Sequence, residues 1–206
     1  MRLTLQTFLT LDGVMQAPGG PTEDPSGGFE HGGWSFAFGD EDFLAAVSGW
    51  FGEADAFLLG RKTYEIFNAH WPRVTDPTDP IASKLNSLPK YVMSKTLSAP
   101  EWNNTTVVNG DLLAEVERLK ALPGKEIQIH GSGALTQQLI EADLIDEYRL
   151  FTFPVHLGSG RPLFSEGMRP GALRLLDTRV TGAGVVIASY APAGPVPKGS
   201  YQFDDE

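Results

Sequence analysis

The chain of 206 residues contains no cysteine. Disulfides and thiolate-bound metals are thereby excluded, and nothing in the composition asks for an oxidising compartment. Basic residues are scarce: 16 against 26 acidic ones, for a net charge of -10. That balance repels nucleic acid and anionic membranes in general, although a local basic cluster can still hold a phosphate. Long apolar runs are missing as well. No stretch approaches the roughly 20 residues of a membrane span, and Met1-Arg2-Leu3-Thr4-Leu5-Gln6-Thr7-Phe8 has no long apolar signal core, so the cytoplasm is the expected location. His31, His70, His130 and His156 are scattered without a spacing such as His-Glu-x-x-His, and no metal site is expected.

What is present is an alternation of strand and helix signals. Leu3 to Leu11 alternates apolar and polar residues and ends at Asp12-Gly13, which reads as a strand reaching a turn. Ala17 to Trp34 follows, dense in glycine and carrying Pro18, Pro21 and Pro25. A loop of that length is a binding loop, a lid or a disordered segment, and Phe29 and Trp34 argue against disorder. A substrate-side loop and a loop ordered by a partner subunit both fit. Asp40-Glu41-Asp42 opens a helix with Phe43, Val47, Trp50 and Phe51 at helical spacing. Strands are expected at Ala54 to Leu59, Lys90 to Met93, Thr105 to Val108, Ile127 to His130 and Asp146 to Val155. Helices are expected before Leu88 and over Leu112 to Leu122. Leu173 to Thr181 and Val185 to Tyr190 read as a hairpin, and Ala191 to Glu206 as a Pro/Gly-rich, acidic tail. The pattern is that of an α/β fold whose mostly parallel sheet is mixed at one edge.

The most informative stretch is Ile127-Gln-Ile-His-Gly-Ser-Gly-Ala-Leu135, a strand that turns through Gly131, Ser132 and Gly133 into a helix. Unpaired N–H groups and the positive end of the helix dipole converge there, a natural phosphate site; an ordinary tight turn explains the glycines equally well. Thr136 stands where a dinucleotide fingerprint needs its third glycine, no lysine opens the helix as in a P-loop, and Ser132 is not in a nucleophile elbow. Gly60-Arg61-Lys62-Thr63 and Ser94-Lys95-Thr96 also follow strands. In an open α/β sheet all three junctions can line one crevice, with Arg61 and Lys95 as phosphate-binding cations and the hydroxyls of Thr63, Ser94 and Thr96 beside them. Asp12 is either an Asx-turn residue or a substrate contact. With no nucleophile motif, a cofactor-borne reaction such as hydride transfer is compatible.

These residues resemble the dihydrofolate reductase-like superfamily, and most closely the branch of the C-terminal reductase domain of bacterial riboflavin biosynthesis. The resemblance rests on Leu11-Asp12-Gly13-Val14, Leu58-Leu59-Gly60-Arg61-Lys62-Thr63-Tyr64-Glu65, Val92-Met93-Ser94-Lys95-Thr96-Leu97, His130-Gly131-Ser132-Gly133-Ala134-Leu135 and Pro154 to Phe164. It implies a three-layer fold in one domain over 1–190 with a tail over 191–206, and a homodimer. It also implies NADPH as hydride donor to a pterin- or aminopyrimidine-like heterocycle, as in 5-amino-6-(5-phosphoribosylamino)uracil reductase; a binding module of the same fold without turnover is the alternative. Carried over residue by residue, Gly60, Arg61 and Thr63 hold the adenosine side, with Arg61 near the 2′-phosphate. Ser94, Lys95 and Thr96 border the adenine and its ribose phosphate. Gly131, Ser132, Gly133, Ala134 and Leu135 pass the pyrophosphate, and Thr7, Phe8, Val14 and Met15 approach the nicotinamide. The proton for the acceptor has two candidate sources, water and Asp12, and the sequence does not decide between them.

Overall fold

The computed structural model describes residues 1–200. Eight strands form one sheet: β1 (Arg2–Thr10), β2 (Ala54–Gly60), β3 (Lys90–Met93), β4 (Thr105–Val108), β5 (Glu126–His130), β6 (Glu147–Phe153), β7 (Leu173–Val180) and β8 (Val186–Pro192). Their spatial order is β4-β3-β2-β5-β1-β6-β8-β7. Pairings from β4 through β6 are parallel, and β8 and β7 add an antiparallel hairpin. Five helices connect them: α1 (Glu41–Gly52), α2 (Arg61–His70), α3 (Pro80–Ser87), α4 (Leu112–Lys120) and α5 (Gly133–Glu141). The result is the three-layer α/β arrangement expected. On one face α4 and α5 bury Val116, Leu119, Leu135 and Leu139 against Leu3, Leu5, Leu58, Ile127 and Ile129. On the other, α1, α2 and α3 bury Phe43, Phe51, Tyr64 and Leu85 against Phe57, Val92, Phe151 and Phe153.

Helix starts follow local chemistry. Asp40, Asp79 and Asp111 each accept an N–H of the first turn, from Phe43, Ile81 and Ala114 respectively, at 2.8 to 2.9 Å. Asp40 also accepts the N–H of Ala183 at 2.7 Å, which fastens α1 to the turn of the C-terminal hairpin. β6 is shorter than the sequence predicts at both ends. Asp146 leaves the strand to accept the N–H of Leu3 at 2.7 Å, and Pro154 has no N–H to continue a ladder. The tail expected from Ala191 begins later, since β8 runs to Pro192 and Ala193 still donates to Ala172 at 2.8 Å; residues 201–206 of it lie outside the described residues.

The polar members of the β1 alternation are buried, because α1 covers their face. Gln6 lies opposite His130 on β5 and Arg149 on β6, and Thr4 opposite Gln128 and Glu147. Arg149 meets Glu126 through two hydrogen bonds of 2.8 and 2.9 Å and Glu147 through one of 2.8 Å. Such a buried ion cluster is a specificity device more than a source of stability, but losing one partner strands the others. His130 stacks on Phe51 with ring centres 4.4 Å apart and shares a 3.1 Å hydrogen bond with Gln128. Burial first, and then the nearby Arg149 charge, push its pKa down to about 3.

A ring that stays neutral when folded, yet protonates near pH 6.5 when unfolded, makes the unfolded chain the stronger proton binder between those values. Stability is therefore expected to fall as pH drops from about 6.5 toward 3. In a melting series over that range, His130→Gln should flatten part of the slope; an unchanged slope would mean that the ring titrates normally.

Candidate cofactor crevice

Two of the three junctions are tied together through one residue. Ser132 precedes α5 with φ of 50°, a left-handed conformation uncommon for a residue with a side chain. Its hydroxyl donates to the carbonyl of His130 and accepts the N–H of Gly60, both at 3.0 Å. Its own N–H donates to the Thr63 hydroxyl at 3.1 Å. Gly131, also left-handed at φ of 54°, donates its N–H to Gln6 at 3.2 Å, and its carbonyl accepts the Thr136 hydroxyl at 2.8 Å. The amides of Gly131 and Ser132 are thus consumed internally. Among the described residues, the N–H groups of Gly133 and Ala134 have no acceptor, and these are the donors that the start of α5 offers a ligand.

The second of those donors, Ala134, lines a cleft of about 1300 Å³ at the carboxyl ends of β2, β3 and β4, and Gly133 precedes it at the start of α5. Gly60, Arg61, Ser94, Lys95, Ala134 and Leu135 line it, so residues from all three junctions share one space. Thr63, Gly131 and Ser132 stand behind this wall as its supports. Arg61 donates to Glu65 at 2.7 Å and to the Thr96 hydroxyl, bridging α2 to the Ser94 turn; its Nη2 has no acceptor among the described residues. The Ser94 hydroxyl is taken by the N–H groups of Thr96 and Leu97, at 3.2 and 3.0 Å. Lys95 is exposed with no partner among the described residues. The donor set matches a phosphorylated dinucleotide: two free amides at the positive end of a helix, with a guanidinium and an ammonium nearby.

Thr7, Phe8, Val14 and Met15 do not line this cleft. Thr7 is buried inside β1, and Val14 packs with Ala17 and Phe29. Met15 backs the turn, its sulfur 3.4 Å from where a Cβ on Gly133 would lie. Phe8 sits in an aromatic wall with Phe43, Phe151 and Phe153 at ring distances of 5.1 to 5.4 Å, and Trp34 meets Phe153 at 5.3 Å. The segment containing Trp34 is therefore folded onto the sheet.

Asp12 is held by local hydrogen bonds. Its carboxylate accepts the hydroxyl of Thr10 and the N–H groups of Gly158 and Leu157, at 2.7 and 3.1 Å for the amides. These bonds, the Thr10 hydroxyl foremost, hold its pKa down to about 2. A carboxylate so stabilised has no proton to give at neutral pH; it ties the loop after β6 to the end of β1. Reading the sequence missed Asp111, Leu113, Gln137, Gln138, Glu141 and the 165–168 loop as further lining. The signal for the first two was available, since α4 begins just beyond β4 and the rule of strand ends applies there too.

Ser132→Ala is expected to destabilise the fold by about 1–3 kcal/mol, because the Gly60 N–H is left without its acceptor. Urea unfolding checks this, and a loss below about 0.5 kcal/mol would show that water replaces the hydroxyl.

A family model described as the RibD C-terminal domain matches residues 2–187. The chain is 33% identical over 195 residues to the uncharacterized protein YyaP of Bacillus subtilis, covering 92% of this chain and 94% of that protein. Among solved structures, a putative riboflavin biosynthesis protein from Shewanella sp. PV-4 shares the fold with a TM-score of 0.66 at 22% identity, over 94% of this chain and 99% of that one. A diaminohydroxyphosphoribosylaminopyrimidine deaminase/5-amino-6-(5-phosphoribosylamino)uracil reductase from Thermotoga maritima does so with a TM-score of 0.62 at 13% identity, over 93% of this chain and 56% of that one. In sequence and in fold alike, the chain belongs to the RibD C-terminal domain family.

Proposed function

We propose that the chain is an NADPH-dependent reductase acting on a planar nitrogen heterocycle of pterin or aminopyrimidine type. The observation that supports it most is the convergence of Arg61, Lys95 and Ala134, whose N–H is free, on one cleft at the strand ends, with the free N–H of Gly133 next to it in the chain. NADPH would supply the hydride. Arg61 and Lys95 hold the 2′-phosphate end, where a bidentate guanidinium and a point charge both favour a phosphate monoester. The Gly133 and Ala134 amides hold the pyrophosphate, and the aromatic wall around Phe8 and Trp34 orients the acceptor by stacking and excludes water. One observation favours a second reading, a nucleotide- or pterin-binding module without turnover: Asp12, one of the two candidate proton sources, is held ionised.

The same reading places the enzyme in the cytoplasm; no helix among the described residues is long and apolar enough to cross a membrane. It also makes the enzyme a homodimer. Leu173, Leu175, Leu176 and Val180 on the edge strand β7, with Val186 beside them, are 37–65% exposed. An apolar edge with unpaired backbone groups invites the same edge of a second copy, the self-complementary contact of a twofold dimer.

Titration against tryptophan fluorescence should show NADPH binding at least tenfold tighter than NADH, and Arg61→Leu should abolish most of that difference, about 1.4 kcal/mol per factor of ten. Equal or absent binding of both nucleotides would sink the cofactor assignment. NADPH bound but not oxidised with any pteridine, flavin or aminopyrimidine would favour the module. Light scattering should give a mass near twice 22.3 kDa, and Leu175→Glu should halve it. A wild-type mass near one chain would overturn the dimer.

A further inference from the structure

The glycine- and proline-rich segment that follows β1 is anchored by one buried charge. Asp24 is 5% exposed although Pro25 to Gly28 beside it lie in solvent. One carboxylate oxygen accepts the N–H and hydroxyl of Ser26, at 3.2 and 2.7 Å, and pairs with the Lys62 ammonium at 2.6 Å. The other pairs with the Arg161 guanidinium. Lys62 stands in the first turn of α2, between Arg61, which lines the crevice, and Thr63, which holds Ser132. Arg161 stands in the loop after β6. A single carboxylate therefore fastens the segment to two walls that are far apart in the chain.

The fastening reaches the cofactor turn. Gln16 donates to the carbonyls of Asp24 and Ser26 at 3.0 and 2.9 Å, and its own side-chain carbonyl accepts the Arg161 N–H at 3.0 Å. Met15 donates its N–H to the Arg161 carbonyl at 2.9 Å, and its sulfur lies against Gly133, one of the two free donors. Gly160 closes the same contact: a Cβ there would meet Val14 at 2.6 Å and Phe29 at 2.7 Å. Backbone from 14 to 29 and from 157 to 162 is thus packed without slack. The carboxylate is buried while each cation is 52% exposed, so its neutralisation removes the charge that holds both walls, and the exposed cations are simply solvated.

We propose that Asp24 is a positioning residue: it clamps the 16–34 segment against α2 and the loop after β6 and thereby presses Met15 onto Gly133, fixing the pyrophosphate donors at the start of α5 and not the 2′-phosphate end. The part of this that concerns ligands rests on the cofactor reading above; the clamp itself does not. Asp24→Asn keeps the side chain's size and removes both ion pairs. In the cofactor-free protein, amides of the 17–30 segment should exchange with deuterium about fivefold faster or more, a ratio equivalent to about 1 kcal/mol, while those of β5 stay unchanged. NADPH should bind roughly fivefold more weakly, whereas adenosine 2′-monophosphate, which lacks the pyrophosphate and the nicotinamide half, should bind as to the wild type. A purely structural role would weaken both ligands alike. Unaltered exchange of the segment, or equal weakening of the two ligands, overturns the proposal. If Asp24→Asn does not fold, Lys62→Met, which leaves Arg161 on the carboxylate, should show the same pattern at smaller size. If the wild type binds neither ligand, the cofactor reading fails, and the exchange measurement alone decides the clamp.

Discussion

The crevice depends on the hydrogen bonds that Ser132 makes to two neighbouring chain segments. Its hydroxyl binds both the strand it leaves and the residue that starts α2, and its amide binds the hydroxyl of Thr63. The left-handed backbone of Ser132 costs roughly 1–2 kcal/mol for a residue with a side chain. Each of the three hydrogen bonds contributes about 1 kcal/mol, so the bonds outweigh the strain. The consequence is geometric. With Gly131 and Ser132 turned inward, the next two amides, of Gly133 and Ala134, are left at the helix start facing no protein acceptor. A glycine at 132 would relieve the backbone and lose the join, which is why this turn carries a serine between glycines.

Much of the architecture was legible in the sequence because it rests on short-range patterns. The span of β4 follows from the β-branched run Thr105 to Val108 ahead of Asn109-Gly110, that of β3 from Tyr91 and Val92 after Pro89, and the start of α1 from Asp40 as its cap. The three turns that follow β2, β3 and β5 were legible for the same reason, and the rule of strand ends placed them together. What stayed hidden depends on contacts between distant segments. Nothing local to Asp12 announces that Gly158 and Leu157 will bind its carboxylate. Nothing in the 17–34 loop announces that Lys62 and Arg161 will converge on Asp24. The role of Ser132 was hidden too, since its partners at 60 and 63 are some 70 residues away, and only folding shows which amides of the turn remain free.

The acidic chain and the anion-binding reading are reconciled by where the charges stand. In a solution of about 0.1 M salt, exposed charges more than roughly 10 Å apart scarcely feel each other, so the net charge of -10 matters little to a phosphate already in the cleft. Arg61, Lys95 and the start of α5 line the cleft together with three carboxylates: Glu141 at the far end of α5, Glu166, and Asp111, which follows β4 on the side of Lys95 because Val108 pairs with Met93. Nine residues of helix separate the two ends of α5, about 12 Å at the usual rise. A phosphate is favoured where the helix begins and opposed where it finishes, whereas ribose hydroxyls or a ring amine find acceptors at the acidic end. A uniformly basic cleft would take any polyanion. This one has a helix start at Ala134 and a carboxylate, Glu141, at the other end of the same helix, and that polarity follows from the direction of α5, which the Ser132 join fixes.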